Sequence, residues 1–340
     1  MPYLRNAWYA AAFDHEVADQ LLARTLLDEH VVFYRTGDGQ AVALGDRCPH
    51  RFAPLSKGKI VDGVVQCPYH GLRFGSSGAC VHNPHGPVPK AAKVPAYPLL
   101  ERHGLVWIWM GDPAKADPAL LPDFSKIADN VSRAPVRGYL RVGCNYQLVT
   151  DNLLDLSHVA YLHTLIGNAD SSERNSFQMK VEGNTVYAYN HMPGEPLTPL
   201  WRMMWSKASN VGDRRAHMRW DAPSLLLLDI GITECGRPES DGPGAAVAHI
   251  LTPETKGSTH YFWVFARDTM LDDASLSEKI RTGIDTVFRL EDDPMVTACE
   301  ARMQGAELMD LKPVMLTTDA SAVRARRVLA AMIEKETVAP

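Results

Sequence analysis

The sequence predicts an α+β protein of two domains. A small β domain spans residues 1–112, a linker 113–130, and a larger domain 131–340 in which a curved antiparallel sheet grips a long helix. Three observations carry this reading. Short β-prone runs crowd the first third of the chain. A stretch over 111–123 with three prolines and several alanines and aspartates breaks the pattern. Beyond it, strand-like runs are followed by long stretches of helical character.

In the first part, residues 25–27 and 31–34 flank a turn, 41–44 lead into a turn-rich region, and 105–110 (Leu-Val-Trp-Ile-Trp-Met) form a strongly β-prone run. In the second part, 145–163 reads as a helix. Residues 181–191, 224–233, 246–251 and 260–266 read as strands, and 235–244 as a loop. Residues 276–303 and 321–335 read as two further helices. Strand order does not follow from periodicity.

The 340 residues suffice for two cores, and a hydrophobic content of 46% is ordinary for a soluble globular protein. No stretch approaches the roughly 20 apolar residues of a membrane span. The opening Met1-Pro2-Tyr3-Leu4-Arg5 run has no signal-peptide character. A net charge of −5 with no basic run excludes an electrostatic footprint for nucleic acid. Six cysteines without disulfide-like spacing point to a reducing cytoplasm.

Cys48-Pro49-His50 and Cys67-Pro68-Tyr69-His70 are the most informative residues. Each segment pairs one thiolate with one imidazole, which suits a [2Fe–2S] cluster of the Rieske type, one iron held by cysteines and the other by histidines. A Cys₂His₂ zinc site is the lesser reading, because zinc spacings put two cysteines in one knuckle and two histidines in the other. Scattered core residues are the least. Gly45, Gly58, Gly63, Gly71, Gly75 and Gly78 supply the backbone freedom that cluster loops need. Neither a G-x-G-x-x-G fingerprint nor a C-x₄-C-x₂-C run is present, so electrons from NAD(P)H would need a separate carrier.

Asn152, Asp155 and His158 fall at three-residue steps on one helical face, with His163 five residues on. The two histidines can share an ion only if the helix ends or bulges between them, and Gly167 is consistent with an ending. Beside a redox cluster, the pair is read as the ligands of its electron acceptor. A third, carboxylate ligand would complete the 2-His-1-carboxylate set that leaves positions open on Fe(II). Residues Ile284, Phe288, Met295 and Cys299 trace an inward stripe, and Asp292 lies on it. Asp292 is preferred over Glu291, because Asp293 precedes Pro294 and suits a helix cap. His249, on a strand, is the favoured candidate for holding an aromatic carboxylate or phenol, with a satisfied core histidine as the other reading. Trp201, Trp205, Trp220, Met203 and Met204 are either pocket lining or plain core.

These motifs resemble those of the Rieske non-haem iron oxygenases, oxygenase component, over nearly the full chain. Cys48-Pro49-His50-Arg51, Cys67-Pro68-Tyr69-His70-Gly71-Leu72 and the run from Asn145 through Asp155 to His163 carry the resemblance. Arg5-Asn6-Ala7-Trp8-Tyr9, the run 106–113 and the run 249–255 are similar to the vanillate and dicamba O-demethylase branch. The toluenesulfonate branch shares several of them. The resemblance implies an N-terminal Rieske domain, a helix-grip (START-like) catalytic domain, a homotrimer, and a reductase or ferredoxin donor. It implies Cys48, His50, Cys67 and His70 as cluster ligands and His158, His163 and Asp292 as Fe(II) ligands. Asp155 would bridge an iron-ligand histidine to the cluster histidine of a neighbouring subunit. On the sequence alone, Asn152 either holds a water or ligand near the iron or caps or bonds within the helix. Relatives usually continue a regular helix past Glu291, where this chain has Asp-Asp-Pro. The expected reaction uses O₂ to demethylate a methoxylated aromatic acid such as vanillate, giving a phenol and formaldehyde. Methyl hydroxylation, N-demethylation and ring hydroxylation remain alternatives, and an electron carrier without its own chemistry a lesser one.

Overall fold

The computed structural model describes residues 3–128, 132–163, 165–168, 170–205 and 209–338. The chain forms two compact units, Tyr3–Leu121 with Thr252–Lys256, and Pro122–Leu251 with the residues from Gly257 onward. The domain boundary expected at 130/131 lies outside the described residues.

The first unit is built from ten short strands: β1 (Trp8–Phe13), β2 (Leu22–Leu26), β3 (Glu29–Arg35), β4 (Ala41–Gly45), β5 (Lys59–Val61), β6 (Val64–Gln66), β7 (Arg73–Phe74), β8 (Cys80–His82), β9 (Leu99–Arg102) and β10 (Leu105–Trp109). They pair as three sheets, β1-β10-β9, β2-β3-β4 and β5-β6-β7-β8. Val32, Tyr34, Leu44, Leu55 and Phe74 form a core into which Cys48 and Cys67 also pack. In the 111–123 stretch, Asp112 and Asp117 each cap a single helical turn that starts on a proline. The proline locks a helix-compatible φ and lacks only an N–H that would be unpaired there.

The second unit carries seven strands: β11 (Ala134–Val142), β12 (Ser176–Glu182), β13 (Thr185–Pro196), β14 (Val211–Asp221), β15 (Leu225–Thr233), β16 (Gly244–Thr255) and β17 (Ser258–Arg267). They form one sheet in the order β11-β17-β16-β15-β14-β13-β12. Strands β16 and β17 are apolar on both faces and buried along nearly their whole length, as central strands covered on both sides are. The helices are α1 (Tyr146–Leu154), α2 (Val159–Leu162), α3 (Ser171–Arg174), α4 (Pro199–Met204), α5 (Ala274–Thr286), α6 (Asp293–Met303) and α7 (Ala320–Val338). α5 packs on β11, and α7 on β13 and α1. Arg326 of α7 ties this last pair together through Asp151 and Gln147 of α1. Among the described residues, no helix is long and apolar enough to cross a membrane.

Several expectations need correction. The strand expected over 181–191 is interrupted by the turn of the β12–β13 hairpin, where Gly183 adopts φ +57°. An alternating pattern runs through such a turn without a break, because glycine and asparagine fit either strand end or turn. In the second unit β11 and β14 were not expected, and in the first, read as short strands throughout, only β2, β3, β4 and β10 were placed individually. The helix expected over 145–163 stops at Asp155. That expected over 276–303 is continuous but contains one wide π-helical turn, Val287–Asp292.

Candidate functional site

Both cluster segments fold as matching turns. Phe52 N–H donates to the Cys48 carbonyl (2.9 Å) and Gly71 N–H to the Cys67 carbonyl (3.1 Å), each closing a loop of the same size. Phe52 (φ +60°) and Gly71 (φ +76°) supply the left-handed residue in each. Cys48 and Cys67 are buried, whereas His50 is exposed and His70 half-buried. The imidazole rings of His50 and His70 lie 4.4 Å apart. Burial, with the Cys67 thiol adjacent, pushes the Cys48 thiol up to about 11. Two buried thiols beside two more accessible imidazoles fit the donor set of a two-iron cluster of this type.

The second constellation is assembled by helix breaks. Asn145 starts α1 by accepting the Gln147 N–H on its side chain (2.9 Å). The helix ends at Asp155 (φ −107°, ψ 91°), whose carboxylate accepts the Ser157 N–H at 3.0 Å and so starts the next turn. The break lies before His158 rather than between the histidines, so the shared helical face expected for Asn152, Asp155 and His158 does not form. Instead, α2 carries His158 at its start and His163 at its end, with rings 5.1 Å apart and nearly perpendicular. Gly167 follows closely on α2. A Cβ there would fall 2.0 Å from the Val159 carbonyl oxygen, so the chain leaves His163 along a path open only to glycine.

The π-turn supplies the third group. It adds a residue to the helical repeat and rotates the side chains beyond it around the axis. Ile284 and Phe288 face inward as expected, but the next inward residues are Asp292 and Val296, while Met295 and Cys299 are exposed. Asp293 does not leave the helix (φ −55°, ψ −47°). The wide turn relieves the clash that Pro294 would make with the preceding turn, and Asp293 accepts bonds from Gly143 and Thr297.

His158, His163 and Asp292 offer ligand atoms within 4.8 Å of one another. Asp292 Oδ1 lies 3.3 Å from His163 Nε2 and 3.5 Å from His158 Nε2. It also accepts from Asn152 Nδ2 at 3.2 Å. The outer ring nitrogens are anchored elsewhere: His158 Nδ1 to the main-chain carbonyl of Asp155 (2.6 Å), His163 Nδ1 to Glu291 Oε2 (2.7 Å). Glu291, the alternative third ligand, thus orients a histidine. Such partners fix the ring and its tautomer. Asp155 meets His158 through its carbonyl rather than its carboxylate, whose Oδ2 accepts, among the described residues, a long bond from Thr318 (3.3 Å). Burial outweighs the pull of Asp292 and holds the His158 pKa low. At His163, burial is overcome by Asp292 and Glu291, and the pKa is raised. A site that concentrates negative charge on two close imidazoles suits a cation. Two imidazoles and a carboxylate are a donor set for a first-row divalent ion.

These groups stand on the wall of a cavity of about 80 Å³. Leu200, Trp201, Leu228, Ile230, Val247 and Phe288 make it apolar. Trp205, Trp220, Met203 and Met204 do not line it. His249, 3% exposed, does; its Nδ1 shares a 2.5 Å bond with Tyr261 Oη, and its Nε2 has no partner among the described residues. Burial lowers its pKa to about 3, so the ring is neutral, and burial raises Tyr261 well above its ordinary value. With the Tyr261 hydroxyl as donor to Nδ1, the proton of the neutral ring sits on Nε2. Asn152 and His158 also line a wide outer groove with Asp155.

One buried pair in this region was not anticipated, Arg214 on β14 and Glu195 on β13. The signal was present. Gly212, Arg214, Ala216, Met218 and Trp220 alternate as the buried face of β14, and a cation on such a face calls for a partner.

Comparisons with known proteins agree with this architecture. Residues 7–98 match the Rieske [2Fe–2S] domain, and residues 142–335 the vanillate O-demethylase oxygenase C-terminal domain. Dicamba O-demethylase, oxygenase component, of Stenotrophomonas maltophilia is 40% identical over 329 residues, covering 96% of this chain and 97% of that one. The oxygenase component of chloroacetanilide N-alkylformylase of Rhizorhabdus wittichii is 40% identical over 337 residues, covering 98% and 97%. The crystal structure of dicamba monooxygenase with non-heme iron and dicamba superposes with a TM-score of 0.86 at 36% identity, covering 99% of both chains.

Proposed function

From a chain that belongs to the Rieske oxygenases of the vanillate O-demethylase type, we propose an oxygenase component that removes the methyl group from a methoxylated aromatic acid such as vanillate. The observation that carries this is the convergence of His158, His163 and Asp292 on the wall of an apolar cavity. Cys48, His50, Cys67 and His70 would hold the cluster, and His158, His163 and Asp292 an Fe(II). When bound, these metals would supply single electrons and O₂ activation, the chemistry that puts one oxygen atom into a methyl C–H bond while two electrons and two protons take the other to water.

The protein's own groups position and protect. Glu291 and the Asp155 carbonyl hold both imidazoles with Nε2 inward. Asn152 steadies the Asp292 carboxylate by donating to Oδ1. The apolar walls exclude water from the bound methyl group. His249 Nε2–H donates to a phenol or ether oxygen of the ring, and the neutral ring keeps this donor at any ordinary assay pH. A hydroxylated aryl methyl ether is a hemiacetal, which breaks to formaldehyde and a phenol without further help. The carboxylate of Asp155, in the outer groove, would bridge to a cluster histidine of the neighbouring subunit in a homotrimer. Reducing equivalents from NAD(P)H would arrive through a reductase, with or without a ferredoxin, in the cytoplasm.

A panel of methoxylated aromatic acids, assayed with a reductase, NADH and O₂, should yield formaldehyde for at least one compound. No formaldehyde from any would overturn the reading in favour of ring or methyl hydroxylation. A second reading, oxidative removal of an N-alkyl group from an amide, draws on the 40% identity to the chloroacetanilide enzyme. For His249→Ala, we expect normal iron content with substrate affinity weakened about tenfold, the worth of one good buried hydrogen bond. Titration calorimetry reads this, and an unchanged dissociation constant would remove the pocket role.

A further inference from the structure

A second, more polar cavity adjoins the first. Leu156, Val159, Arg214 and Ala216 line both, so the two are neighbouring compartments with Arg214 at their junction. The second compartment adds Asn175 and Asn190 and contains no acidic residue among those that line it.

Arg214 is 8% exposed and Asn190 4%. Among the described residues, the guanidinium makes one hydrogen bond, from Nη1 to Glu195 Oε1 at 3.0 Å, and its buried Nε has no partner. Asn190 accepts from Asn175 Nδ2 at 2.7 Å, and among the described residues the outer atoms of this amide pair, Asn190 Nδ2 and Asn175 Oδ1, are left without partners. A β-bulge builds this arrangement. The register between β13 and β14 shifts between Met192 and Glu195, which turns Glu195 to the buried face where strict alternation would not place it. Three donors then meet on Glu195 Oε1: Arg214, Ser171 Oγ at 2.5 Å and Asn168 Nδ2 at 3.1 Å. Glu195 itself does not line the compartment. An arginine fixed from behind, with donors left over beside an unpaired amide donor, is a preorganised receptor for acceptor oxygens.

We propose that Arg214 and Asn190 form the subsite that receives the carboxylate of the substrate, with Glu195 as the residue that positions Arg214. The inference rests on the demethylase reading. It adds that the substrate spans both compartments, methyl group toward His158, His163 and Asp292, and anionic group toward Arg214. His249 then serves the oxygen substituent of the ring rather than the acid.

The test is calorimetric binding of 2-, 3- and 4-methoxybenzoate and the three matching methoxybenzamides to the metal-loaded protein. At least one benzoate should bind about tenfold or more tightly than its amide. Glu195→Gln keeps an acceptor for Arg214 but removes the compensating charge, so the benzoate preference should rise. In the Arg214→Met/Glu195→Gln double variant, the preference should fall to about one, with iron content unchanged. A purely structural ion pair would not move the preference in opposite directions. Equal affinity, or no measurable benzoate binding, in all three wild-type pairs overturns the proposal, as does a preference that neither variant changes. Formaldehyde release distinguishes the two levels. Demethylation of neutral methoxy compounds without a benzoate preference would remove the Arg214 role alone. An Arg214-dependent preference without formaldehyde from any compound would remove the demethylase reading and keep the anion subsite.

Discussion

His163→Ala is expected to leave the two cluster irons and the cluster's absorption spectrum intact while stripping the remaining iron from each subunit. His163 is 4% exposed, and its imidazole is the point where Asp292 and Glu291 meet. Its loss takes away one of three donors and leaves the Glu291 carboxylate facing a gap. Losing an outer partner of a metal ligand costs roughly 10–100-fold in affinity or activity, so losing the ligand itself should cost well over that in O₂-dependent turnover. The two units give this variant an internal control, because Cys48, His50, Cys67 and His70, the proposed cluster ligands, all belong to the other unit. Metal analysis with sulfide determination reads it. Full turnover with the iron content of the wild type would show that His163 is not a ligand.

Asp155→Asn should bind both metals and still lose turnover, by about 10²-fold or more if the carboxylate carries the bridge between subunits. The substitution is close to isosteric. An amide oxygen can still accept the Ser157 N–H that starts the next turn, and the main-chain carbonyl that holds His158 Nδ1 is untouched. What changes is Oδ2, a charged acceptor in the outer groove that becomes an amide donor. The effect should therefore appear in the rate at which a reduced cluster is reoxidised in the presence of substrate and O₂. Complete retention of turnover with both metals bound would show that Asp155 plays no part in the electron path.

Much of the site was legible because its chemistry is local in sequence. Each cluster knuckle places a cysteine and a histidine within two or three residues, so a single turn assembles half the ligand set. His158 and His163 were legible as a pair for the same reason. The details were not, because they depend on departures from regular geometry. A 3.6-residue repeat puts Asn152, Asp155 and His158 on one face, but an aspartate that caps its own successor breaks the helix first. The same repeat sends Met295 and Cys299 inward, whereas the π-turn presents Asp292 and Val296. Asp292 was reached because an acid on an otherwise apolar stripe needs a partner, and the role of Glu291 was not, because it needs the true helical phase. Arg214 and Glu195 lie on strands whose register a bulge decides, and a bulge leaves only a Pro-Gly trace in the sequence. The strand order of the sheet, built from long-range pairings, left no local mark at all.

The central claim is that this chain carries its own oxidation chemistry at a second metal centre, rather than relaying electrons elsewhere. Iron and acid-labile sulfide, measured per subunit on protein purified with its metals retained, test it most directly. The account predicts about three irons and two sulfides per subunit, with the extra iron lost in His163→Ala and the sulfide unchanged. Two irons and two sulfides in fully loaded protein, with or without His163, would contradict it.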